Sequence, residues 1–244
     1  MSKSLSVDKA EVNKFSELAE DWWNVNGAMK PLHKLNSARV EFLVEEVCKH
    51  LSGKTRRDCM TGVSVLDVGC GAGIFCEAVA RLGAKVTGLD VSGDVLKVAK
   101  EHAREGGLKI EYVLSSVEDY VGSGKKFDVV SLLEIVEHSA DHVSLISASA
   151  SLLKPGGIML ISTVNQTVKG YLMGVLLAEH ILKWVPVGTH DWFRFKRPSD
   201  LVEVLEGEGV RIGRISGMVY NPIKDGFDLQ DGKIGVNYIM SALA

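Results

Sequence analysis

Two short stretches of this sequence carry residue types that could do chemistry. The first is Asp67-Val-Gly69-Cys-Gly71-Ala-Gly73. Glycines so closely spaced let a backbone turn sharply and approach a ligand, because no Cβ stands in the way. Asp90 closes the next apolar run, Lys85-Val-Thr-Gly-Leu-Asp90, and a carboxylate there can accept both hydroxyls of a ribose. The second stretch is Glu134-Ile-Val-Glu137-His138. Two carboxylates and an imidazole in one short run suit either proton transfer or the binding of a divalent cation.

A dinucleotide is the rival ligand for the glycine stretch. The nicotinamide and flavin fingerprint is G-x-G-x-x-G, with its third glycine one position later than Gly73. Its pyrophosphate rests on a helix N-terminus, and Asp67, just before the glycines, would repel it. The same carboxylate suits a cofactor that carries an ammonium and a sulfonium. The plain alternative, glycines that only make a tight turn, leaves the pairing with Asp90 unexplained.

The elements that must position these residues follow from periodicity. Val63–Val68, Lys85–Asp90, Ile110–Leu114, Phe127–Leu133 and Gly157–Thr163 read as buried strands, the last introduced by Lys154-Pro-Gly-Gly157. Helices are expected over Ile74–Leu82 and after Asp90, where Val95, Leu96, Ala99 and Ala103 share a face. Strand alternating with helix means βαβ units and a parallel sheet, whose ligands bind at the carboxyl ends of the strands. The last third adds a helix over Pro198–Glu206 and strands near Arg211–Tyr220 and Val236–Ala242. Residues 1–60 read as a helical cap: Phe15, Leu18, Ala19, Trp22 and Trp23 recur at helical spacing, as do Val40, Leu43, Val44, Val47 and Leu51. Met29–His33 between them reads as a loop broken by Pro31.

Composition narrows the class. The 244 residues are 46% hydrophobic and 24% charged with net charge −3, which suits one globular domain and offers no basic excess for nucleic acid. The four cysteines, Cys48, Cys59, Cys70 and Cys76, form no CxxC pair. Free thiols in a chain of this size point to a reducing compartment. The start of the chain is polar and charged, unlike a secretory signal, and no uncharged apolar run reaches the roughly 18–20 residues of a membrane span.

Val65-Leu-Asp-Val-Gly-Cys-Gly-Ala-Gly73 resembles the first motif of the class I S-adenosylmethionine-dependent methyltransferases. Outside that motif the chain resembles the ubiquinone biosynthesis O-methyltransferases, the UbiG family, from Phe15 to Tyr238. The stretches that carry this are Phe15-Ser-Glu-Leu-Ala-Glu-Asp-Trp-Trp23, Lys30-Pro-Leu-His33, Asn36-Ser-Ala-Arg39 and Ser131-Leu-Leu-Glu-Ile-Val-Glu-His138, followed by Ala178-Glu-His-Ile-Leu182, Val185-Pro-Val-Gly-Thr-His-Asp191 and Tyr220-Asn-Pro222. The departures are Ala72, Ser37 and Gly235, where the family often has Gly, Pro and an acid. The resemblance implies an α/β, Rossmann-like seven-stranded sheet, mostly parallel with its last strand antiparallel, N-terminal helices, and a helical insertion after the fifth strand. It implies that Gly69 and Asp90 hold S-adenosylmethionine, that Arg39 reaches the methionine carboxylate, and that Leu133 lies against the cofactor. Asp67, Gly71 and Gly73 belong to the same site on the reading above. Many relatives hold the adenine amino group with an acid after the third strand; Ser116 stands there, so backbone around Val117 takes that role. A guanidinium forks onto a carboxylate, whereas without the family Arg39 reads as a solvated helix charge.

For such a reaction two routes are open at the acidic run. His138, helped by Glu137, is a general base for a phenol whose pKa lies near ~10. Alternatively Glu134, Glu137 and His138 bind a divalent cation such as Mg2+, completed by neighbouring oxygens of a catechol-like substrate. The plain alternative is a helix start or substrate contact without metal. His33, His190 and Asp191 lie in family-matching loops and are weaker candidates for the site.

Between the fifth strand and the Pro198 helix lies an insertion, residues 166–190, apolar almost all round, with Tyr171 and Trp184 as interface-type aromatics. It reads either as a segment touching a membrane surface, since the family's substrates carry a polyprenyl tail, or as a helical hairpin packed on the domain. The partners implied are a polyprenylated phenol, a membrane surface and a ubiquinone-biosynthesis complex. The location implied is cytoplasmic, peripheral to the inner membrane in a bacterium, or the matrix side in a mitochondrion.

Overall fold

The computed structural model describes residues 5–52, 58–170 and 192–244. Its centre is one eight-stranded sheet in the order β3-β2-β1-β4-β5-β8-β6-β7. The strands are β1 (Ser64–Val68), β2 (Lys85–Asp90), β3 (Glu111–Leu114), β4 (Phe127–Leu133), β5 (Leu153–Val164), β6 (Arg211–Asn221), β7 (Gly226–Asp231) and β8 (Asn237–Leu243). β1 to β5 pair in parallel. β8 runs antiparallel between β5 and β6, as expected of the last strand. The extra strand is β7, which forms a hairpin with β6 through Asn221↔Gly226. Its residues Gly226-Phe-Asp-Leu-Gln-Asp231 are only half-buried or exposed, so they lack the apolar run that marks the central strands.

The helices are α1 (Lys9–Glu17), α2 (Lys30–Val47), α3 (Ile74–Arg81), α4 (Gly93–Glu105), α5 (Val117–Tyr120), α6 (His142–Ala150), the single turn α7 (Val168–Gly170) and α8 (Pro198–Gly207). Side-chain alternation along the strands divides the core in two. Val65 and Val129 pack with Phe42, Leu43, Val79 and Leu96 of α2, α3 and α4. Their neighbours Leu66 and Val130 pack with Leu145, Ile146, Leu201 and Leu205 of α6 and α8 on the opposite face. Short polar side chains start the helices: Asp8 accepts from Ala10 N, Ser92 from Val95 N, Ser116 from Asp119 N, and Asp141 from Val143 N and Ser144 N.

Three expectations change. The helix read through Trp23 ends at Glu17 and gives way to a 3-10 turn over Ala19–Asp21, which releases Trp22 and Trp23 to separate partners. The expected loop at Met29–His33 is the first turn of α2, with Pro31 where its missing N–H costs nothing. Cys48 and Cys59 form a disulfide with Cα atoms 5.3 Å apart, because the chain after α2 turns back before β1. Only Cys70 and Cys76 are free thiols, both buried, so the inference of a reducing compartment loses its premise. α6 was not read from the sequence, since its Ser/Ala-rich run hides the buried pair Leu145 and Ile146. The apolar insertion falls on residues 171–191, outside those described, as do His190 and Asp191.

Candidate active site

A cavity of about 800 Å³ opens at the carboxyl ends of β1, β2 and β4, and Arg39, Asp67, Gly69, Asp90, Val117, Leu133, Glu134, Glu137 and His138 all line it. Asp67, Gly69, Asp90, Glu134, Glu137 and His138 come from the two motifs and are brought together by the parallel strand order, while Arg39, Val117 and Leu133 are residues the resemblance implied. Gly71 and Gly73 shape the turn from behind. All three glycines of the loop have positive φ, 69°, 54° and 84°, and each has a side chain pressed against the place a Cβ would take. Ile135 fills it at Gly69, Trp22 at Gly71 and Tyr112 at Gly73.

Asp90 ends β2 and turns its carboxylate back on the loop, with Oδ2 accepting from Gly71 N and Oδ1 from Ser92 N, each at 2.9 Å. Each oxygen keeps a lone pair for a further donor. Burial pushes the Asp90 carboxyl above its ordinary value, against the pull of those backbone donors. Asp67 is more deeply sealed. It accepts from Ser131 Oγ at 2.6 Å and from Cys76 Sγ at 3.3 Å, yet burial raises its pKa to about 6. Two acids held in a wall at such cost to their charged forms favour a cationic ligand.

Arg39 supplies the opposite sign. It is 4% exposed, and its Nε and Nη2 are sealed from solvent with no hydrogen-bond partner. Glu134 Oε1 lies 3.2 Å from Nη2, near enough for charge attraction but not directed as a hydrogen bond. A buried guanidinium with unmet donors on a cavity wall fits a carboxylate ligand, and the solvated-charge alternative does not hold. Ser37, one of the departures, lies exposed and donates to Lys34 O at 3.5 Å.

The acidic run forms a tight turn after β4, not a helix start; α6 begins only at His142. Glu134 has φ 52°, a left-handed conformation costly for a residue with a side chain and often found at functional turns. Its Oε1 accepts from Ser162 Oγ at 2.7 Å. Glu137 accepts from Thr163 Oγ1 at 2.8 Å, and burial followed by repulsion from Glu134 pushes it to about 7. His138 Nδ1 meets Glu11 Oε2 at 2.7 Å. Burial opposes protonation of His138, but the Glu11 bond and the Glu137 charge outweigh it and its pKa is raised. With the three side chains turned to these partners, no group of three or more His, Cys, Asp and Glu among the described residues is arranged around a common ion position.

Sequence reasoning missed the roof of the cavity. Trp22 covers Gly71, and Trp23 donates to Ala72 O at 3.0 Å while stacking on His102 at 3.5 Å. His33 bonds Trp22 O at 2.8 Å and is absent from the cavity lining, so it serves the roof. Ser16 Oγ and Ser92 Oγ lie 2.7 Å apart and join α1 to the start of α4. Glu11 is the other omission. It lies one helical turn before Phe15 on a face that turns inward, and an acid on an apolar helix face was the available signal.

A family model for a methyltransferase domain matches residues 66–161. The chain is 38% identical to the ubiquinone biosynthesis O-methyltransferase of Cereibacter sphaeroides, over 100% of this chain and 99% of the relative. It is 40% identical to the protein of that name from Pelagibacter ubique, over 96% of this chain and 97% of the relative. Among solved structures it resembles the magnesium protoporphyrin IX methyltransferase of Synechocystis PCC 6803 with bound SAH, at TM-score 0.66 and 20% identity over 96% of this chain and 98% of that one, a likeness in fold alone. End-to-end identity at this level, joined to a glycine loop, the acids Asp67 and Asp90 and a buried guanidinium around one cavity, places the chain in the ubiquinone biosynthesis O-methyltransferase family.

Proposed function

We propose that the protein methylates a hydroxyl oxygen of polyprenylated phenol and catechol intermediates of ubiquinone synthesis, of the 2-polyprenyl-6-hydroxyphenol and 3-demethylubiquinol type, using S-adenosylmethionine. The observation that carries the cofactor is Arg39, a buried guanidinium with no hydrogen-bond partner at Nε or Nη2 that lines the same cavity as Asp67 and Asp90. When bound, S-adenosylmethionine supplies an electrophilic methyl group, which passes to the phenolic oxygen by in-line displacement while the sulfur keeps the bonding pair. Arg39 binds the methionine carboxylate, and Asp67 favours the ammonium beside it. Asp90 accepts the ribose hydroxyls, the Gly69 backbone lets the ligand lie close, Leu133 packs against it, and backbone at Val117 takes the adenine edge.

The phenol must lose a proton as its oxygen attacks. His138 is the acceptor: Nδ1 is taken by Glu11, and Nε2 has no partner among the described residues. One observation favours a second route. Burial, and after it repulsion from Glu134, pushes Glu137 up to about 7, and a divalent cation beside the pair would relieve both. Glu134, Glu137 and His138 would have to turn from Ser162, Thr163 and Glu11 to hold Mg2+, which would supply Lewis-acid activation of the phenol. Methyl transfer from labelled S-adenosylmethionine to a short-chain prenylated catechol tests both. Activity that survives excess chelator but is lost in His138→Ala supports the base, whereas loss in chelator restored by Mg2+ supports the cation. No transfer to any prenylated phenol or catechol overturns the substrate assignment.

The polyprenyl tail of such a substrate favours lipid by about 0.8 kcal/mol for each CH₂. We infer that the enzyme works at a membrane surface, on the cytoplasmic face of a bacterial inner membrane or the matrix face in a mitochondrion, with the apolar residues 171–187 as its contact. No described helix is long and apolar enough to cross a membrane. Association with other ubiquinone-biosynthesis enzymes would suit the same lipid-bound substrate.

A further inference from the structure

We propose that Glu11 on α1 is the positioning residue of His138, so that a competent site exists only while the N-terminal helix is docked. The proposal rests on the reading that His138 serves the reaction through Nε2. A carboxylate can only accept, so the His138 Nδ1···Glu11 Oε2 contact of 2.7 Å places the ring proton on Nδ1. The lone pair of the neutral ring is then on Nε2. That atom has no hydrogen-bond partner among the described residues, and its ring lines the cavity. Phe15, one turn further along α1, meets the imidazole edge-on at 5.0 Å and 86°. One helix therefore fixes both the tautomer and the tilt of the ring, whether Nε2 takes a proton or binds a cation.

The anchoring of α1 shows why this matters. No residue of α1 is fully buried: Phe15 packs against the cluster of Trp22, Met29 and Ile74, while Glu11, Val12 and Lys14 border the cavity. Beyond that contact the helix is held by polar ties at its two ends. Ala140 N donates to Ser6 O at 2.9 Å and Ser6 N donates to Glu118 Oε1 at 3.0 Å. Arg194 Nη2 meets Asp8 Oδ2 at 2.9 Å and the Ser16–Ser92 pair closes the far end. Such ties are individually weak, so the docking of α1 rests on their sum. The Glu11–His138 contact spans 127 positions of sequence and couples the docking of α1 to the orientation of His138.

The test uses the full-length protein with Glu11→Ala and Glu11→Asp, each also in a His138→Ala background. Glu11→Ala is expected to lower kcat by about 10–100-fold with unchanged affinity for S-adenosylhomocysteine, and Glu11→Asp to recover part of it. In the His138→Ala background Glu11→Ala is expected to add nothing. Nitrogen-15 NMR of histidine-labelled protein, with the His138 signal assigned from its loss in His138→Ala, is expected to show Nδ1 protonated in the wild type and a mixture of tautomers in Glu11→Ala. An unaltered tautomer, or an equal loss of activity in both backgrounds, would overturn the proposal. If His138→Ala keeps full activity, the role of His138 falls, while the tautomer measurement still decides whether Glu11 orients the ring.

Discussion

Asp67 and Glu137 are carboxyl groups whose charge the fold makes expensive, and that has a measurable consequence. Burial lifts Asp67 from 3.8 to about 6 and, with repulsion from Glu134, lifts Glu137 from 4.5 to about 7. A raised folded pKa means the native state holds protons that the unfolded chain has already released. The stability this confers is complete below the ordinary pKa and is lost as pH rises through the folded one. The melting temperature of the ligand-free protein should therefore fall between about pH 5 and about pH 8, a window above the range of the acids whose pKa is lowered. S-adenosylhomocysteine, whose ammonium favours ionised Asp67, should flatten that slope. A Tm that is level or rising across the window without ligand contradicts these shifts. At this scale Asp67, Asp90 and the glycines were legible because their chemistry is written in type and spacing. Glu11 was not, because its partner lies on a distant turn and only the folded chain brings the two together.

The glycine loop is held between the sheet and the N-terminal roof, so its glycines do two jobs. Gly71 has φ 54°, and a Cβ there would stand 2.2 Å from the Trp22 ring. Gly107 has φ 65° with nothing within 4 Å. Alanine at either position incurs backbone strain of about 1–3 kcal/mol, but only Gly71→Ala should displace Trp22. We expect Gly71→Ala to weaken S-adenosylhomocysteine at least about tenfold, or 1.4 kcal/mol, while Gly107→Ala leaves affinity unchanged in isothermal calorimetry. Equal affinities would show that Trp22 does not shape the site. The strands β1, β2, β4 and β5 were legible as apolar runs because both their faces are largely buried, whereas β3, read as buried, is an edge strand with Glu111 and Leu114 exposed. α6 and β7 were not, since one hides its buried pair among small residues and the other is only half-covered. The break after Glu17 escaped notice because a 3-10 turn keeps nearly the same apolar spacing as the helix before it.

At the scale of the molecule, the carboxyl ends of the parallel strands carry the cofactor machinery, and the apolar insertion follows β5 in the chain. If residues 171–187 meet lipid, the wild type should sediment with anionic liposomes, and a Leu176→Glu, Trp184→Glu variant should stay in solution with an unchanged Tm. A wild type that ignores liposomes, or a variant that melts early, assigns the segment to packing within the protein instead. The sequence alone leaves that choice open, because an apolar helix suits a core and a membrane surface equally well. The central claim is that the cavity at the carboxyl ends of β1, β2 and β4 is an S-adenosylmethionine site built on Asp90 and Arg39. It is tested most directly by calorimetry of the wild type and Asp90→Ala with S-adenosylhomocysteine, and with NAD as the rival ligand. The account predicts that the wild type binds S-adenosylhomocysteine and not NAD, and that Asp90→Ala loses about 2–3 kcal/mol of that binding while remaining folded. Binding of NAD, or undiminished affinity in a folded Asp90→Ala protein, would contradict it.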